Sequence, residues 1–173
     1  NKGLNLIKII VHYNGNEAYF KALNRQEQEV LFTTNILNNR RNCRLLSPAE
    51  TINNLTIGAT HADNSSILGM DVRHNPYENI FLSTYTPIGG GYRKSIKPDF
   101  LFAGGRQMYD FHILHGTPLK PSNYKRAPGI KVAAPDHTLN KTIYEIGTSN
   151  SAALTSRNGL FCYHTIEQLL AHI

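Results

Sequence analysis

The stretch Ile146-Gly147-Thr148-Ser149-Asn150-Ser151-Ala152-Ala153 limits what this chain can fold into more than any other. An apolar strand pattern, Thr142–Ile146, runs into a Gly-Thr turn, and a serine followed by small residues opens a long segment of helical character. A strand–turn–helix unit of this kind places a hydroxyl in the first helical turn, where unpaired backbone N–H groups and the positive end of the helix dipole gather. Serine in that position can cap the helix, its commoner use, or act as a nucleophile. Ala152 and Ala153 are small enough to let the helix pass close beneath a sheet. Beyond them Cys162, Ile166, Leu169, Leu170 and Ile173 fall at helical spacing and predict a stripe of core packing. Asn158-Gly159 is a break signal, so the segment is expected to kink or to divide into two helices.

The rest of the chain alternates in the same way. Leu4–Tyr13 reads as a strand closed by the turn Asn14-Gly15-Asn16. Residues 17–38 read as a helix with Phe20, Leu23, Val30, Leu31 and Ile36 facing a core. Ser47-Pro48-Ala49-Glu50 has the form of a capped helix start. Leu55–Thr60 follows as a buried strand. Phe81–Tyr85 is short and extended, Gly89-Gly90-Gly91 is a loop, and Lys97–Gly105 is a strand entering a glycine turn. Gly129–Ala133 is a further short strand. Helices alternating with short buried strands predict an α/β fold with a largely parallel sheet.

Composition narrows the partners. A chain of 173 residues with 40% hydrophobic content can bury a real core, as one domain or part of one. The net charge of +6 is scattered in short pairs such as Arg40-Arg41 and Lys125-Arg126, a pattern that argues against a nucleic-acid partner. Cys43 and Cys162 lack metal-ligand spacing and read as buried thiols of a reducing compartment. No apolar run spans a bilayer, no secretory leader is read at the start, and the eight histidines show no paired metal spacing. Neither a metal, nor a cofactor, nor a membrane is expected.

Four collinear stretches together resemble the signposts of subtilisin-like serine proteases, the subtilases. Gly147-Thr148-Ser149 with Ala152 is similar to that family's serine motif. Pro48-Ala49-Glu50 with Leu55-Thr56-Ile57-Gly58-Ala59 is similar to its helix and following "VGA" strand. Phe81-Leu82-Ser83-Thr84-Tyr85 is similar to its "FSS" segment, and Ile96-Lys97-Pro98-Asp99-Phe100 with Ala103-Gly104-Gly105 to its "KPD…PG" segment. They cover residues 45–157, and the resemblance implies that family's doubly wound fold, a largely parallel sheet with helices on both faces. The serine segment and Gly104-Gly105-Arg106-Gln107 are closest in form to a divergent bacterial intracellular branch, which implies a cytoplasmic protein.

The resemblance implies peptide-bond hydrolysis, with Ser149 as nucleophile and its own N–H as one oxyanion donor. Asn1, in Asn1-Lys2-Gly3, matches the family's second oxyanion donor. Thr56, Gly58, Ala59 and Thr148 would lie along the substrate. The family's Asp and His precede the oxyanion Asn, so residues 1–173 correspond to the C-terminal half of a catalytic domain. The Asp and His are then expected from a missing N-terminal half or a companion chain, and the ligand is a peptide or protein substrate. The competing reading is a subtilase-like interaction module without catalysis, binding a protein or nucleic-acid partner. None of Asp63, Asp71, Asp99, Asp110 and Asp136 is assignable as the triad acid. Asp99 reads as a turn tie.

His115-Gly116-Thr117 spells the family's histidine motif, but Pro118 follows it and it lies after the "KPD" segment, so it reads as a loop. His115→Ala in the complete protein is therefore expected to leave peptide hydrolysis at the parent rate. A loss as deep as that of Ser149→Ala would reverse the order of motifs inferred here.

Overall fold

The computed structural model describes residues 17–38, 44–66, 72–110, 119–135 and 140–171. The expected strand Leu4–Tyr13 and its turn lie outside those residues, as do Asn1, Cys43, Asp71, His115, Asp136 and Ile173.

The first helical segment divides into α1, Glu17–Ala22, and α2, Arg25–Asn38. Asn24 makes the division. Its Oδ1 accepts the Glu27 amide at 3.0 Å, while its own amide donates to Glu27 Oε2 at 2.9 Å, a reciprocal capping box that starts a new helix. Phe20 and Ile36 are buried, and Leu23 and Leu31 pack beside them as expected. Val30 is 58% exposed and is not a core residue. The inward row is instead Phe32 and Ile36, one helical turn apart, and Val30 lies about 200° round the helix from Phe32. Phe32 is fully buried against Phe20, Tyr77 and Tyr109, and its ring stacks on His74 at 5.6 Å.

Ser47–Glu50 forms turns, not the expected helix. Its carbonyls are drawn to distant partners: Ala49 O accepts Thr56 Oγ1 at 2.5 Å and Glu50 O accepts the Tyr92 amide at 2.8 Å. A helix would need those oxygens for its own amides four residues on.

Strand β1, Ile57–Thr60, is shorter than read from sequence and pairs in parallel with a later strand at Phe100–Ala103. The register sets Gly58 against Leu101 and Thr60 against Ala103. Entry to that later strand is held by a buried lysine: Lys97 Nζ donates to Asn54 O at 2.8 Å and to Asp99 Oδ2 at 2.7 Å. Asp99 Oδ2 also accepts the Thr56 amide at 2.7 Å, so this aspartate does tie down the turn. The Lys97 ammonium and the Thr56 amide hold its carboxyl below the ordinary range.

Three further pairs are antiparallel: β2, Gly89–Gly90, with β3, Ile96–Lys97; β5, Tyr109–Asp110, with β6, Lys120–Pro121; and β7, Ile130–Ala133, with β8, Thr142–Glu145. The strand at Phe100–Ala103 is β4. The architecture is α/β, and among the described residues β1–β4 is the parallel pair.

Helix α3, Thr148–Leu170, runs unbroken for 23 residues through Asn158-Gly159, without the expected kink. It packs across β1 and β4. The sheet covers only its beginning, because four-residue strands span about 13 Å and 23 helical residues about 35 Å. From Ser156 onward every described residue is exposed. The stripe expected to be core is therefore open in this chain: Cys162 is an exposed thiol, and Ile166, Leu169 and Leu170 are 56%, 63% and 65% exposed.

His61, just past β1, is buried. Its amide donates to Phe81 O at 2.7 Å and its Nε2 meets Asn75 Oδ1 at 2.7 Å, which makes Nε2 the protonated nitrogen. Among the described residues its buried Nδ1 has no partner. Burial pushes its pKa from 6.5 down to about 4. Below pH 6.5 the unfolded chain therefore binds a proton that the folded chain refuses. This contribution to stability is complete above pH 6.5 and is lost as pH falls toward 4. Its size is on the order of 3 kcal/mol. Denaturant midpoints of the complete protein should fall over that window, and fall less steeply in His61→Gln. Parallel pH profiles for the two proteins would contradict the account.

Candidate active site

The ladder between β1 and β4 continues past both strands, and its continuation positions the start of α3. Gly104 N donates to Thr60 O at 3.2 Å and Gly105 N to Ala62 O at 3.0 Å. Gly104 O then accepts the Gly147 amide at 2.9 Å, so the turn before α3 hangs from the end of β4. Ser151 completes the attachment: it is fully buried, and its hydroxyl donates to Phe102 O at 3.1 Å.

Close approach requires glycine at both positions of this crossing. A Cβ on Gly104 would lie 2.5 Å from Ala59 Cβ, 2.6 Å from the Tyr85 hydroxyl and 2.8 Å from Ser151 Oγ. Gly105 adopts φ +96°, and a Cβ there would lie 2.9 Å from both Glu145 O and Ile146 Cγ2.

Gly147 is the N-cap of α3 and offers no side-chain cap. Thr148 is the first helical residue, Ser149 the second and Asn150 the third, with Asn150 N donating to Gly147 O at 3.1 Å. Ser149 is exposed. Serine as N-cap, one of the two roles open to it, is thereby replaced: Ser149 stands inside the first turn, with its amide among those that lack an intrahelical acceptor.

A buried ion pair braces the same crossing. The Asp63 side chain is fully buried and Arg106 grips it three times, through its amide at 2.8 Å, Nε at 3.1 Å and Nη2 at 2.9 Å. Ser65 donates to the same carboxylate from its amide at 2.9 Å and from its hydroxyl. Arg106 Nη2 also reaches Ser65 O, and Gly129 N donates to Ser65 Oγ at 3.1 Å. One carboxylate thus joins the loops after β1, after β4 and before β7. Burial pushes its pKa up, but the hydrogen bonds from Arg106 and Ser65 outweigh that, and it lies below the ordinary carboxylate value.

A family model described as the subtilase family matches residues 9–163. The chain belongs to the subtilase family. Searches of curated proteins and of solved structures gave no match.

Subtilases are serine proteases, and the expected site residues of this one fall into three groups. Ser149 and Thr148 lie at the start of α3, next to the ends of β1 and β4. Asn1 lies outside the described residues. Thr56, Gly58 and Ala59 are buried in and beside β1. The Thr56 hydroxyl is spent on Ala49 O. A Cβ on Gly58 would collide with Leu101 and Pro98 at 2.7 and 2.8 Å. Ala59 is fully buried, with its N–H and C=O both bonded to Thr86 Oγ1 at 2.9 and 2.7 Å.

Sequence reasoning missed Tyr85, Ser151 and the Asp63–Arg106 pair. The pair did leave a signal. Thr60 and Ala103 are register partners, and Asp63 and Arg106 stand three residues beyond each. Among the described residues, no three His, Cys, Asp or Glu side chains cluster as a metal site, and no helix is long and apolar enough to cross a membrane.

Gly104→Ala tests the crossing. The added methyl meets Ala59, Tyr85 and Ser151 within 2.5 to 2.8 Å, and overpacking of this kind costs about 1–3 kcal/mol or more. A drop in denaturant midpoint of that size is expected. Parent-like stability would mean that the helix start is not held where described.

Proposed function

We propose that this chain is the C-terminal half of the catalytic domain of a subtilisin-like serine endopeptidase, with Ser149 as the nucleophile that attacks the scissile peptide carbonyl. One observation carries the reading. Ser149 is exposed in the first turn of a helix that has no side-chain cap, at the end of a parallel strand pair, and its amide is among those without an intrahelical acceptor. That arrangement supplies a nucleophile and an oxyanion donor from the same residue. Asn1 is the second donor in this reading, and Thr148 shapes the turn and borders a peptide or protein substrate. The full domain is the doubly wound fold of the family, in the bacterial cytoplasm.

Nucleophilic attack needs a base, and among the described residues no histidine or carboxylate pairs with the Ser149 hydroxyl. The triad Asp and His come from an N-terminal segment or a companion chain. The exposed apolar residues of α3 and β4 support such a partner: Leu160, Phe161, Ile166, Leu169, Phe100 and Leu101 are all about half exposed or more. An apolar expanse of this kind is rarely left in water.

The test compares this chain by itself with the protein assembled from it and the segment carrying Asp and His. In the assembled protein, Ser149→Ala should abolish peptide hydrolysis by several orders of magnitude. Triad members act as a unit, and the precedent for that size is this family itself. A serine-directed fluorophosphonate should label the assembly at Ser149 quickly and the lone chain slowly. Hydrolysis unchanged by Ser149→Ala would end the assignment. Failure of every upstream segment to confer hydrolysis would favour the non-catalytic interaction module.

A further inference from the structure

Besides Ser151, the crossing that holds Ser149 contains a polar side chain that neither the nucleophile reading nor the Asp63–Arg106 brace uses. Tyr85 follows the Phe81–Thr84 stretch and carries its hydroxyl into the space between β4 and the start of α3. The hydroxyl donates to Gly105 O at 3.0 Å. It lies 2.6 Å from where a Cβ on Gly104 would stand. It therefore touches the two strand-end glycines, and Gly104 in turn holds the N-cap of the helix through the Gly147 amide.

We propose that Tyr85 is a positioning residue for the nucleophile: its hydroxyl fixes the Gly104–Gly105 turn and Gly147, and through them sets where the Ser149 hydroxyl and N–H point. This rests on the assignment of Ser149 as nucleophile. The mechanical reason is the freedom of the turn. Gly105, at φ +96°, has no side chain to hold it. Its flank toward Arg106 is held by Asp63 Oδ2, which accepts the Arg106 amide at 2.8 Å. Its carbonyl is held by Tyr85. With that bond gone, the Gly105–Arg106 peptide is held on its N–H side alone, by Asp63, and the adjoining Gly104–Gly105 peptide, whose carbonyl takes the Gly147 amide, loses the neighbour that steadies it. Reacting groups and oxyanion donors must sit within about 0.5 Å of their working positions, and a displacement of about 1 Å can cost roughly 100-fold in rate. Burial pushes the Tyr85 pKa up to about 12, so the hydroxyl remains a neutral donor throughout the working range of a protease.

Tyr85→Phe tests the assignment, since it removes the hydroxyl and keeps the ring. In the assembled protease, with active sites counted by the fluorophosphonate end point, kcat per labelled site should fall roughly 10- to 100-fold. KM should stay within about twofold, because the hydroxyl is buried away from substrate. The labelling rate of Ser149 should fall in step with kcat, while the number of labelled sites per chain stays as in the parent. The pH profile should keep its shape. Four results would each overturn the proposal. The first is a kcat within twofold of the parent. The second is a raised KM at unchanged kcat, which would make Tyr85 a substrate contact. The third is a loss confined to the number of labelled sites, which would make it ordinary core packing. The fourth is a shifted alkaline limb, which would make it an acid–base group. Ser149→Ala assayed in parallel separates this from failure of the nucleophile reading, because in that case Ser149→Ala would retain activity while Tyr85→Phe became irrelevant to it.

Discussion

The contact on which the described structure most depends is the close passage of α3 over the ends of β1 and β4 at Gly104. Gly104 itself puts no side chain between helix and sheet there. The Gly104 carbonyl takes the Gly147 amide, and the space a methyl would need is already filled by Ala59, Tyr85 and Ser151. Because the approach is this close, backbone groups of the strand can satisfy the backbone of the turn, and the first turn of the helix needs no side-chain cap. An uncapped helix start leaves N–H groups available to a ligand. The same feature that sets the packing distance thus leaves the first turn of α3 without a side-chain cap.

The elements around the crossing differ in how they are held. On the strand side, Lys97 and Asp99 fasten the entry to β4, and the buried Asp63–Arg106 pair fastens its exit. Both use charge-assisted hydrogen bonds shared with backbone amides, and for the buried Asp63 this is how a carboxylate inside a protein stays ionised. On the far side, an aromatic cluster built on Phe32, Tyr77 and Tyr109 supplies most of the apolar burial, with His74 stacked into it. The site lies on the ionic side of this division, where directional bonds set positions. The aromatic side supplies bulk and, through His61, a sensitivity to acid.

The second half of α3 marks where this chain stops being self-sufficient. Leu160, Phe161, Ile166, Leu169 and Leu170 have the spacing of a core face and the exposure of a surface. A two-stranded parallel sheet cannot cover a helix of this length. Membership of the subtilase family and the reading of an incomplete triad bear on the same face, since a segment that supplies the base would also supply the cover.

Local chemistry was legible in the sequence wherever a short pattern has one physical solution. The strand–Gly-Thr–helix order at 142–153, the glycine turn after β4 and the tie made by Asp99 each follow from a few adjacent residues, and the collinear motifs that resemble the subtilases needed no coordinates. Sequence did not determine the outcomes that depend on distant partners. Ser47–Glu50 has a helix start in letters, yet its carbonyls are claimed by Thr56 and Tyr92. Val30 and Phe32 are equally apolar as letters, and only the direction of the helix against Tyr77 and Tyr109 buries one and exposes the other. The stripe on α3 has core periodicity, but burial needs a covering surface, which the helix cannot specify by itself. Ser149 could be cap or free hydroxyl until the position of Gly147 made it the second residue of the helix. Periodicity and turn chemistry are properties of neighbours along the chain, whereas which groups are left unpaired is a property of neighbours in space.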